Sequence, residues 1–243
     1  MARGVGTRGR FALAYLLLGA AVGTGVGTLI VLLQRPEPPP PPPWSSWQPA
    51  ASSTSTRLLE IAEHVGQTYR LPSGDQLTAV QVGGSQGGQA NVQGIAVLNR
   101  GAPQKVDAQY EENDTAFYIL CGAGKNCSIR EGNPSVARGT VLRREALELA
   151  LYTLEYANPI DNVLVFFPPG PGEKSLSSTL FFHRDDLSGH LKQPLRATLP
   201  QLKPPLPGKI VPEEEKTVND LTGEQRYHYL GISQNFVVIR PGA

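Results

Sequence analysis

The sequence predicts a single N-terminal transmembrane helix followed by an α+β domain whose mixed β-sheet packs against one long helix. Three observations carry this. Phe11 to Leu33 is an unbroken run of 23 residues without a charge. Val141 to Ala157 repeats apolar residues at helical spacing over a wide arc. Asn162 to Phe167 follows at once, and its consecutive apolar residues Val163 to Phe167 read as a strand covered on both faces.

The uncharged run comes first. At about 1.5 Å per residue it reaches about 35 Å as a helix, enough to cross a hydrocarbon core of roughly 30 Å with some tilt. Arg3, Arg8 and Arg10 precede it, whereas Arg35 behind it is answered by Glu37. That asymmetry places residues 1–10 in the cytoplasm and the C-terminal bulk outside, in a single-pass plasma-membrane topology with the lipid bilayer as first partner. The alternative is a signal peptide with Phe11 to Leu18 as its apolar region and Gly19-Ala20-Ala21 as cleavage site, which would release a secreted domain. The apolar residues that continue from Val22 to Leu33 favour an anchor over residues 11–33. Gly19, Gly23 and Gly27 share one helical face, a small-xxx-small pattern that predicts self-association of the span.

Residues 34–56 read as a stalk. The six prolines Pro38 to Pro43 favour stiff polyproline II, and Gln48 to Thr56 is rich in Ser, Thr and Ala. A proline-rich ligand for an aromatic-lined groove is the rival reading. Both tryptophans, Trp44 and Trp47, fall in this stretch, available to the membrane interface, to the domain or to a partner.

Residues 57–243 suit one extracytoplasmic domain. Four arginines (Arg3, Arg8, Arg10, Arg35) and one acid (Glu37) precede residue 57. Of 22 basic and 21 acidic residues this leaves 18 and 20, a net charge near −2 that argues against a nucleic-acid partner. Leu58, Ile61, Ala62, Val65 and Tyr69 predict a helix over Arg57 to Tyr69, with Thr56 as N-cap and Leu71-Pro72-Ser73-Gly74 as its stop. Strands are expected at Leu77 to Val82 and Asn91 to Leu98, joined by the glycine-rich loop Gly83 to Gly88. Thr115 to Cys121 and Cys127 to Arg130 read as a hairpin around Gly122 to Asn126. The Val141 to Ala157 helix ends at Asn158-Pro159. Leu147, Ala150, Leu151 and Leu154 form its apolar face, widened by Leu142, Ala146, Leu149 and Tyr156. Arg144, Glu148, Tyr152 and Glu155 form its polar stripe, with Arg144 and Glu148 an i,i+4 pair. Strand, helix, strand predicts a right-handed parallel crossover.

Beyond it, Thr179 to Phe182 reads as a strand and Asp185 to Leu191 as a short helix. Pro194 to Pro212 holds six prolines and reads as irregular. Glu213 to Asp220 reads as a helical turn or two. Tyr227 to Ile232 and Phe236 to Arg240 close the chain as a hairpin around Ser233-Gln234-Asn235.

Signals of chemistry are few, and no cofactor is expected. Cys121 and Cys127 should pair outside the cytoplasm. They lack the two-residue spacing of a redox pair, and no third Cys or His adjoins them to complete a zinc site. The glycine-rich loop lacks the Gly-Lys-Ser/Thr ending of a phosphate loop and reads as a connection. His183-Arg184-Asp185-Asp186 matches the start of the kinase catalytic loop, but position 190 is His rather than Asn and no Asp-Phe-Gly follows. His183, Asp185 and His190 are the candidate metal or acid/base group of a membrane-anchored envelope hydrolase, although Asp185 also suits a helix cap. The leading expectation is a non-catalytic domain that binds an envelope protein or a cell-wall component. Convergence of those three side chains would favour the hydrolase; scattered positions would favour the binder.

Overall fold

Alternate residues along the central strands enter two separate hydrophobic clusters, and this two-sidedness organises the fold. The computed structural model describes residues 17–18, 43–84, 92–102, 104–170, 173 and 175–242. The chain divides after Pro42 into two units. Of the first unit only Leu17 and Leu18 are described, both helical and exposed. Among the described residues no helix is long and apolar enough to cross a membrane. The rest of the uncharged run, with Gly19, Gly23 and Gly27, lies outside the described residues.

The second unit runs α1 (Thr54–Gly66), β1 (Ala79–Val82), β2 (Gly94–Leu98), β3 (Val106–Glu111), β4 (Thr115–Cys121), α2 (Val136–Tyr156), β5 (Asn162–Phe166), β6 (Ser178–His183), α3 (Arg184–Leu191), α4 (Leu195–Thr198), α5 (Pro212–Gly223), β7 (Arg226–Ser233) and β8 (Phe236–Pro241). The strands form one mixed sheet in the order β1-β4-β5-β6-β7-β8-β2-β3. Among the described residues only β4–β5 and β2–β8 pair in parallel. The expected crossover is therefore present: α2 links the parallel neighbours β4 and β5. The class is α+β, as the sequence predicts.

On β4, Ala116, Tyr118 and Leu120 face the helices, while Phe117 and Ile119 face the other way. β5 repeats the pattern with Val163 and Val165 against Leu164 and Phe166, and β6 with Leu180 and Phe182 against Phe181. Leu58, Ile61 and Val65 of α1 and Val141, Leu147, Leu151 and Leu154 of α2 complete the helical side. Full burial of each such side chain stabilises by roughly 1.5–3 kcal/mol. The second cluster draws on no helix among the described residues; the sheet curls over it. Tyr110 on β3 meets Phe181 on β6 with ring centroids 4.9 Å apart. A flat sheet would hold those strands, four places apart in the order, roughly 19 Å from each other.

Several boundaries differ from expectation. The cap of α1 is Ser53, whose hydroxyl accepts the Thr56 N–H, so the helix starts three residues before Arg57. The cap of α2 is Ser135, which extends that helix five residues upstream of Val141. β3 was not expected at all. β1 and β2 do not pair with each other. Cys127 to Arg130 is not a strand: Lys125–Cys127 is a 3-10 turn, and β4 instead pairs with β1 and β5. Inside the proline-rich stretch, α4 forms a short helix. The terminal hairpin forms as expected, with Gln234 and Asn235 both at positive φ, the geometry of a two-residue hairpin loop.

Candidate functional site

The residues singled out in the sequence do structural work at separate places. Cys121 and Cys127 form a disulfide at the end of β4. Its loop closes so tightly that a Cβ on Gly122 would lie 2.3 Å from the Ser128 carbonyl oxygen, so only glycine fits there.

The His183-Arg184-Asp185-Asp186 stretch is a helix start. His183, not Asp185, is the N-cap of α3: its Nδ1 accepts the Asp185 N–H, while Asp186 accepts the His183 N–H at 2.8 Å. Arg184 donates to Asp161 Oδ1 at 2.5 Å and to the carbonyls of Leu154 and Ile160, tying α3 to the end of α2. The Asp185 side chain is 89% exposed. His190 Nδ1 lies 2.9 Å from Thr198 Oγ1 and joins α3 to α4. His183 Nδ1 and Asp185 Oδ2 lie 3.7 Å apart at the start of α3, whereas His190 turns to Thr198, so the three hydrolase candidates do not converge, and the described residues contain no group of His, Cys, Asp and Glu that could hold a metal.

Both tryptophans dock onto the domain. Trp44 packs edge-on against Tyr152 and Tyr156, at 5.5 and 5.6 Å between centroids. Its backbone carbonyl accepts the Leu195 N–H at 2.8 Å. Trp47 stacks on His64 at 3.8 Å with ring planes 3° apart. Burial pushes the His64 imidazole below its ordinary value, consistent with a neutral ring beneath the indole. Glu60 accepts the N–H groups of Ala50 and Ala51, and Arg57 donates to the carbonyls of Ala51, Ser52 and Tyr156. Residues 43–53 are therefore part of the compact unit.

The polar stripe of the long helix is mostly interior. Arg144 is 1% exposed. Its Nε donates to Glu214 on α5, its Nη1 to Tyr69 Oη at 2.5 Å and to Glu148 at 2.9 Å, and its Nη2 to the Gln201 carbonyl at 2.9 Å. The expected Arg144–Glu148 pair is present, and it is largely buried. Desolvation pulls the guanidinium down; Tyr69, Glu148 and Glu214 outweigh it and hold Arg144 above its ordinary value. Next to it, Glu145 is fully buried. Its Oε1 accepts the Thr78 hydroxyl at 2.7 Å, and its Oε2 has no partner. Burial, partly offset by Thr78 and reinforced by Glu148, raises the Glu145 carboxyl well above the usual range, so it is held neutral.

A more open concave site lies where β4 and β5 end and α2 begins. Parallel strands with a crossover helix leave a crevice at their carboxyl ends. Here it has two lobes of about 460 and 530 Å³, which share Gly139, Leu142, Pro168, Gly170 and Glu173 in their walls. Lys125 and Arg138 line the first lobe, and Arg143, Arg226 and His228 the second. Gly132, at φ +68°, lets the Arg138 guanidinium lie across its turn; a Cβ there would sit 2.5 Å from Arg138 Nη2. Desolvation, then the charge of Arg226, pushes the Arg143 guanidinium below its ordinary value, with Glu215 pulling back. None of these cations was singled out in the sequence. They come from three separate elements, the turn after β4, α2 and β7, and only the fold collects them.

Comparison with known proteins finds no matching family model, no matching curated protein and no matching solved structure. The class is thus defined by architecture alone: a disulfide-bonded, mixed-sheet α+β domain with a basic groove at the mouth of its parallel strand pair.

Proposed function

We propose that this chain is a single-pass membrane protein whose C-terminal domain lies outside the cytoplasm and acts there as a non-catalytic binding module. The observation that carries the reading is the uncharged run of 23 residues behind three arginines, long enough to span and oriented by the flanking charge. The Cys121–Cys127 disulfide supports it, since such bonds persist in oxidising compartments. His183 is spent on capping α3 and His190 on joining α3 to α4, which leaves the exposed Asp185 beside His183 with no third group converging on them and favours a binder over a hydrolase. Its target is a protein or a cell-wall component of the envelope. Self-association through Gly19, Gly23 and Gly27 would set its valency in the membrane.

Protease treatment of intact spheroplasts tests the topology. The domain should be digested without lysis, and denatured, unreduced protein from cells should give no reaction with a thiol probe. A domain protected until lysis, or two free thiols, contradicts the reading.

A further inference from the structure

The groove at the mouth of β4 and β5 carries a charge imbalance that folding does not require. Among the described lining residues Lys125, Arg138, Arg143 and Arg226 stand against a single carboxylate, Glu173, with Glu215 acting on Arg143 from outside the walls. That carboxylate is already engaged: its Oε2 accepts the Gly170 N–H at 3.1 Å and the Ser177 hydroxyl at 2.7 Å. Among the described residues none of the four cations forms an ion pair. Their hydrogen-bond partners are neutral. Arg138 donates to the Glu131 carbonyl, Arg143 to Thr140 and Asn219, and Arg226 to the Gly223 carbonyl. Two side-chain hydrogen bonds keep the half-buried Arg143 in place, and Arg226 faces it with like charge. An anion between them would relieve that repulsion. The first turn of α2, a 21-residue helix, adds its partial positive charge to the same wall.

Shape narrows the occupant. Two joined lobes are longer than one small ion needs, which suits an extended chain. A flat lipid surface cannot reach the floor of a concave groove. Among the described lining residues Phe167 and His228 are the aromatic rings and both belong to the second lobe, so no ladder of rings follows the groove for successive bases to stack on. Two cations line each lobe, which suits a tetrahedral phosphate with acceptor oxygens on several sides better than the single planar edge of a carboxylate.

Resting on the anchored-binder reading above, we propose that this groove binds an extended phosphate-bearing polymer of the envelope. One phosphate sits against Lys125 and Arg138, the next against Arg143 and Arg226.

The test uses full-length protein in zwitterionic detergent and fluorescently labelled inorganic polyphosphate. Binding should be tighter than about 100 µM at low salt and should weaken steeply as salt rises. Arg138→Ala and Arg226→Ala should each weaken it by about ten-fold, with both variants still unfolding in one cooperative transition. Lys203→Ala, a cation outside the groove, should leave it intact. Polyglutamate of equal charge should displace the probe poorly. The inference is overturned by the absence of binding, by unchanged binding in both arginine variants, or by equal displacement with polyglutamate. Tighter binding to phosphatidylglycerol vesicles or to a single-stranded oligonucleotide than to polyphosphate also overturns it, in favour of lipid or nucleic acid. Topology is read separately in spheroplasts. An outside domain with a silent groove removes the ligand alone, and an inside domain with a binding groove removes the envelope location.

Discussion

Arg143 and Arg144 are neighbours in the chain and live in opposite electrostatic surroundings. Arg144 points into the protein, where Glu148, Glu214, Tyr69 and the Gln201 carbonyl take up its donors. Arg143 points toward the groove, where its hydrogen-bond partners are neutral and the like charge of Arg226 outweighs the pull of Glu215. A buried charge must be compensated from within, because desolvation in the interior costs several kcal/mol per ion. A charge at a groove needs no such partner while water reaches it, and can be left for something that arrives later. Compensation therefore separates the cation that holds the fold from the cation that is free to recognise.

The largest test of that contrast is Arg144→Ala. It strands Glu214, which is fully buried, and Glu148 without their cation. A destabilisation of about 4 kcal/mol in urea unfolding is expected; a loss below about 1 kcal/mol would mean the network is not compensating.

Glu145 sharpens the same contrast from the acid side. Its carboxyl is raised in the folded state by burial, so the folded protein holds a proton that the unfolded chain releases above its ordinary carboxylate range. Its contribution to stability is present below the unfolded value and is lost as pH rises toward the folded one. Glu145→Gln should remove that part of the pH dependence and raise stability at neutral pH. Unfolding curves across the acid-to-neutral range check it, and an unchanged slope would show that Glu145 ionises freely.

These roles were only partly legible in the sequence. Val163 to Phe166 announced a two-sided strand because every position is apolar, and all of β5 is buried. The body of α2 was legible from its apolar period, but its first turn, Val136 to Thr140, was not. Val136 is 82% exposed and adds nothing to the buried face, so only the Ser135 cap marks the start. β3 escaped because four of its six residues, Asp107, Ala108, Gln109 and Glu111, are polar or small and it lies at a sheet edge. Helical period gives the polar stripe but not what covers it, because it reports only local neighbours. The partner that buries Arg144 is Glu214, on a later helix. The groove was illegible for the same reason: a net charge near −2 conceals a patch assembled from Lys125, Arg138, Arg143 and Arg226. Trp44 and Trp47 left the choice of contact open, and Tyr152, Tyr156 and His64 supply it.

The smallest effect is the most direct measurement: a double-mutant cycle on Arg143→Ala and Arg226→Ala, read as unfolding free energy at low salt. Each single change relieves one shared repulsion. The double variant should therefore be less stable than the sum of the singles implies, by about 0.5 kcal/mol, and the shortfall should shrink as salt rises. Additive changes, or a double variant more stable than the sum, would mean that the groove arginines are already compensated and that no ligand is needed to explain them.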